Sequence, residues 1–91
     1  MQLHEFVMPL VTMEVNYEEL QDFIKGCFEE EYGIDTVIGV EAVKYNPDII
    51  DITVYVKEKK DGMRNLGYSI RNYLKSQGIR TGIGIKELKN A

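Results

Sequence analysis

The sequence predicts one α+β domain, a two-layer sandwich with two helices on one face of an antiparallel sheet. Three observations predict it. Residues 49–57 (IIDITVYVK) alternate the branched aliphatics Ile50, Ile52, Val54 and Val56 with Asp51, Thr53, Tyr55 and Lys57, which is the period of a strand with one dry face. Two stretches on either side of it repeat apolar residues at helical spacing. The length, 91 residues, suits one core and leaves no room for a second domain, so residues 1–91 form a single unit.

The elements follow in order. Residues 6–15 (FVMPLVTMEV) are apolar at nearly every position, as in a strand buried on both faces. Proline cannot donate to a ladder, so Pro9 restricts this strand to about 10–15 and leaves 1–9 as an N-terminal arm. Asn16 is an N-cap candidate, with Glu19 completing a capping box. Leu20, Phe23, Ile24, Cys27 and Phe28 then form one helical stripe, ended near Tyr32 by Gly33. Residues 36–45 (TVIGVEAVKY) predict a strand with Ile38, Val40 and Ala42 inward. The turn at Asn46, Pro47 and Asp48 makes it a hairpin with 49–57. After a charged loop, residues 63–77 predict a second helix with Met63, Leu66, Ile70, Tyr73 and Leu74 facing the core. Gly67 lies on that stripe, where a glycine lets a helix approach closely at a cost of about 1 kcal/mol relative to alanine. Gly78 closes the helix, and residues 80–88 form a last strand with Ile83 and Ile85 inward and Gly82 and Gly84 on the other side.

The order β-α-β-β-α-β, folded as one antiparallel sheet with both helices on one side, is the ferredoxin-like arrangement. If residues 6–15 do not pair, the remaining order resembles, in element order alone, the small domains of the alkaline-shock and KH-like groups. The GXXG loop with which KH domains clamp RNA is absent; Gly82-Ile83-Gly84 is not that motif. No signature motif accompanies either resemblance.

Composition narrows the function. One cysteine (Cys27) and one histidine (His4) exclude an internal disulfide and supply too few ligands for a structural zinc site. A reducing, cytoplasmic setting is the expectation, since the N-terminus lacks a basic signal-peptide region and no apolar run approaches the roughly 20 residues that span a bilayer. The net charge of −4 conceals a division: residues 1–46 carry two bases and ten acids, residues 47–91 nine bases and five acids.

Three groups of residues are candidates for contact with a partner. On the second helix, Arg64, Tyr68, Arg71 and Lys75 lie along one outer stripe, suited to an acidic surface or a phosphate. The plainer readings are a solvated face whose cations suit the helix C-terminus, or ion pairs from Asp22 or Glu29 to Arg71 or Lys75. On the first helix, Glu29 and Glu30 belong to an acidic cluster. Consecutive helical carboxylates diverge by about 100°, so they suit a solvated face or a basic partner and not a shared ion; no metal site is expected. The open side of the sheet is expected to show Val37, Val43, Tyr45, Thr53, Tyr55, Gly82 and Gly84, with Val11 and Met13 of the first strand. That is an apolar surface for self-association, anchored by Tyr45 and Tyr55. The plainer reading is that Lys44, Thr53 and Lys57 break it up and the rest is tolerated singly.

Catalysis has little support. Small acyl-phosphate phosphatases share this element order, but they need an anion-cradling loop after the first strand with an arginine nearby. The corresponding residues 13–18 (MEVNYE) are acidic and lack glycine and arginine. The resulting expectation is a non-enzymatic interaction module without cofactor, forming homo-oligomers through its sheet and binding another protein, with nucleic acid and membranes disfavoured. Two rivals remain. One is a regulatory domain holding a small molecule or anion at residues 59–64 or at a seam near Gly82 and Gly84. The other is a small acidic inhibitor from a phage or mobile element.

Overall fold

The computed structural model describes residues 15–88. Helix α1 (Tyr17–Tyr32) leads through a short 3-10 turn (Ile34–Thr36) into strand β1 (Val37–Asn46). Strand β2 (Ile49–Val56), helix α2 (Met63–Ser76) and strand β3 (Thr81–Glu87) complete the described fold. The sheet order is β1-β2-β3.

Helix α1 starts and stops where its polar residues direct. The Asn16 side chain accepts a 3.0 Å hydrogen bond from the Glu19 N–H, with Glu18 and Glu19 in the first turn. That satisfies an otherwise orphaned donor and opposes the helix dipole. At the far end Gly33 turns the chain at φ 106°, and its N–H donates to the Glu29 carbonyl at 2.7 Å. The helix buries Leu20, Ile24 and Phe28, with Phe23 and Cys27 half-buried at the margins of the stripe.

The core is the layer that the β2 alternation requires. Ile50, Ile52, Val54 and Val56 are buried and share one cluster with Leu20, Ile24 and Phe28 of α1 and Met63, Ile70 and Leu74 of α2. Full burial of each such aliphatic contributes roughly 1.5–3 kcal/mol. Phe23 and Tyr73 close the seam between the helices, their ring centroids 5.9 Å apart. Tyr73 is therefore a margin residue, exposed on one side, and not the inward-facing residue its spacing suggests.

The sheet departs from the expected antiparallel arrangement. β1 and β2 form the antiparallel hairpin, but β2 and β3 pair in parallel, so the sheet is mixed. In the ferredoxin-like order the two strands joined by the second helix also run the same way; the first strand stands between them. Here β3 lies directly on β2, and that position is filled. The direction of the last strand matches the expectation and its neighbour does not. The expected first strand falls, except for Val15, outside the described residues, and Val15 is not in a strand. The ferredoxin-like order is accordingly not found in the described residues.

Strand β1 carries a second correction. Val37 pairs with Val56 and Gly39 with Tyr55, so Ile38 is an extra residue in the ladder. Such a bulge reverses the inside–outside phase on one side of itself. Val37, expected on the open face, is buried in the core. Ile38, expected inward, is 48% exposed. Past the bulge the expected phase holds, and Val40 and Ala42 pack against the core.

Candidate interaction edges and a basic groove

The open face of the sheet is less apolar than its sequence suggests. Paired residues across the strands form rows: Gly39, Tyr55 and Lys86; Glu41, Thr53 and Gly84; Val43, Asp51 and Gly82. Tyr55 and Thr53 are half-buried within these rows. The Tyr55 hydroxyl donates to Oε1 of Glu41 at 3.1 Å. Two carboxylates, a lysine and glycines break the surface, so the expected apolar platform is absent from the centre of the sheet.

The exposed apolar side chains instead gather along β1, an outer strand. Ile38 and Val43 are each about half exposed and Tyr45 is 73% exposed. Tyr45 occupies a second irregularity, where Lys44 faces Ile50 and Asn46 faces Ile49. Beside them Ile34, in the preceding turn, is also exposed. Among the described residues β1 pairs on one side only, with β2. A long edge strand leaves main-chain donors and acceptors available to another strand, and natural proteins usually blunt such edges.

At the opposite edge, α2 overhangs β3 and leaves a groove of about 550 Å³. Its floor is Met63, Ile83 and Ile85, with Gly84 between the two isoleucines. Its wall carries Lys59 and Lys60 from the loop before α2, and Arg64 and Tyr68 from the first turns of the helix. None of the three cations has an ion-pair partner among the described residues. The start of α2 strengthens the positive potential. Gly62 gives no side-chain cap and the first turn contains no acid, so the positive end of the dipole is not neutralised there. The Lys59 N–H is bonded to Oε1 of Glu87 at 2.9 Å, and the Lys60 N–H to Sδ of Met63 at 3.3 Å. The first bond fixes the loop against the end of β3 and the second against the start of α2.

The basic stripe read from the sequence is therefore divided. Arg64 and Tyr68 meet Lys59, Lys60 and Gly84 in the groove, while exposed Arg71 and Lys75 continue along α2 outside it. No ion pair joins Asp22 or Glu29 to Arg71 or Lys75 among the described residues. Glu29 is half-buried and Glu30 exposed in the last turn of α1, and neither lines the groove. No three His, Cys, Asp or Glu residues among those described converge as an ion-binding group. Burial, with a smaller effect from Glu30, pushes the Cys27 thiol above its usual range, which lowers its thiolate fraction and its reactivity. No described helix is long and apolar enough to cross a membrane.

The grouping at the groove was only partly accessible from sequence. Lys59 and Lys60 read as a charged loop and, with Arg64, as an alternative anion site, but Gly84 lies 24 positions beyond Lys60. Nothing local joins them; only the parallel pairing of β3 on β2 does. Comparison with protein-family models, with curated proteins and with solved structures gives no match.

Proposed function

We infer that this chain is a non-enzymatic interaction module that self-associates through the outer edge of β1. The observation that carries this reading is the ten-residue edge strand with Ile38, Val43 and Tyr45 turned outward. Two copies joined about a two-fold axis use the same strand twice, antiparallel. A register centred on Val43 sets Val43 against its own copy and Glu41 opposite Tyr45, with no like charges facing. The reading moves the contact from the centre of the sheet to its rim, since the central rows are polar. The lone half-buried thiol suits a reducing compartment such as the cytoplasm.

Sedimentation velocity over about 1–100 µM full-length protein tests it, a range spanning the dissociation constants of modest interfaces. The expected result is a concentration-dependent dimer. Val43→Lys, which places a charge on the edge, should give a monomer. Lys86→Glu, on the open face of β3 and away from β1, should leave the dimer intact. A wild-type monomer at every concentration overturns the reading, and loss of the dimer in Lys86→Glu alone returns the interface to the sheet face.

A further inference from the structure

We propose that the groove between α2 and β3 binds an extended acidic segment of a partner protein, which adds to the outer edge of β3. Three observations converge on this occupant. Among the described residues β3 is paired only with β2, and since Arg80 and Leu88 bond toward β2, the alternation turns the main-chain groups of Ile83 and Ile85 to the outer edge. An incoming strand satisfies such groups by direct addition to the sheet. Ile83 and Ile85 turn toward α2, meet Gly67 and are only half-buried, so they offer apolar contact to an incoming strand. Lys59, Lys60 and Arg64 stand over this edge; their side chains form no ion pair among the described residues, and the one carboxylate bonded there, Glu87, is held by the Lys59 N–H. Three cations on a ligand-sized groove select an anionic chain.

The chemistry also specifies a pattern. Side chains of an added strand alternate between the two faces of the sheet. One set turns toward Met63, Ile83 and Ile85 and should be aliphatic. Carboxylates at the end of the segment nearest the α2 N-terminus meet Lys59, Lys60 and Arg64, and Tyr68 covers the segment from above. A free phosphate or phosphorylated small molecule would use the cations but not the strand edge. This site is independent of β1 pairing and lies at the other side of the sheet.

The test uses the full chain and a fluorescein-labelled octapeptide of alternating valine and threonine flanked by two glutamates at each end, followed by fluorescence anisotropy. Three comparison peptides are an equivalent with lysine for glutamate, the glutamate peptide N-methylated at alternate residues along one edge, and the same peptide N-methylated along the other edge. Saturable binding of the glutamate peptide is expected, at least about tenfold tighter than the lysine peptide and weakened by added salt. N-methylation of one edge, but not of the other, should abolish binding. Lys60→Glu combined with Arg64→Glu should weaken it at least about tenfold, with an unchanged circular dichroism spectrum showing that the fold persists. Val43→Lys should bind normally, which separates this site from the β1 edge. The proposal is overturned by no saturable binding, by equal binding of the lysine peptide, by indifference to N-methylation of either edge, or by displacement of the peptide by inorganic phosphate at equal ionic strength.

Discussion

The Tyr55 hydroxyl and the Glu41 carboxylate are joined by a 3.1 Å hydrogen bond across the β1–β2 ladder. Neighbouring rows of the open face thus meet diagonally, and the pair holds the edge strand to the central one. The bond raises the Tyr55 pKa above the ordinary tyrosine value of 10.0, with burial and the negative charge of Glu41 acting in the same direction.

The expected consequence is a Tyr55 ring that titrates later than a free tyrosine. The native state keeps the proton where the unfolded chain has released it. The stabilisation is therefore present below pH 10 and is lost as pH rises through the higher native value. NMR titration of the Tyr55 ring should show its midpoint falling toward 10 in Glu41→Ala. An unchanged midpoint would remove Glu41 as the cause. In Tyr55→Phe, stability should decline less steeply as pH rises above 10 than in the wild type.

A second relationship ties α1 to the start of α2. The Tyr32 hydroxyl donates to the Asp61 carbonyl at 2.9 Å. Gly62 follows at φ 89°, and a Cβ there would lie 2.9 Å from that hydroxyl. Gly62→Ala therefore incurs backbone strain of about 1–2 kcal/mol and displaces Tyr32 as well. Urea denaturation should show a smaller penalty for Gly62→Ala in a Tyr32→Phe background, because the blocking oxygen is gone and only strain remains. Equal penalties in both backgrounds would exclude the steric contribution.

Gly67 should behave in the opposite way. A Cβ at this position meets Ile83 Cγ2 at 3.6 Å and Ile85 Cδ1 at 4.0 Å, ordinary contact distances. The close approach expected from sequence is thus not tight enough to exclude a methyl group. Gly67→Ala should stabilise the protein by roughly 0.5–1 kcal/mol, by restricting the unfolded chain and adding contact. A lower urea midpoint for the alanine variant would show that the helix had been forced off β3.

These contrasts indicate which features are legible in a sequence of this kind. Periodicity shared by many residues is legible: the β2 alternation and the centres of both helical stripes reach the core, with Tyr73 left at the margin. Local polar signals are legible too, since Asn16 caps α1 and Gly33 ends it as their chemistry requires. A one-residue insertion is not. The bulge at Ile38 exchanges the environments of Val37 and Ile38 while every neighbouring residue remains strand-like. The neighbour of β3 is also hidden, because a helical crossover sets a strand's direction but not which strand it lies beside. Both the β1 edge and the basic groove follow from these two features, which is why the site was less legible than the core.

Thr81 offers a last test at the start of β3, opposite Ile50. Its side chain is buried, and Oγ1 has no hydrogen-bond partner among the described residues. A buried hydroxyl without a partner costs about 1–3 kcal/mol in lost hydration. Valine has nearly the same shape, lacks the polar atom and suits a strand. Thr81→Val should raise the thermal midpoint and stabilise the fold by about 1 kcal/mol, part of the desolvation cost being recovered. Thr81→Ser retains the hydroxyl but loses the methyl group and should be destabilising, so the two variants move in opposite directions. If Thr81→Val unfolds more readily than the wild type in matched thermal scans, the hydroxyl is bonded in solution and the unsatisfied-group account fails.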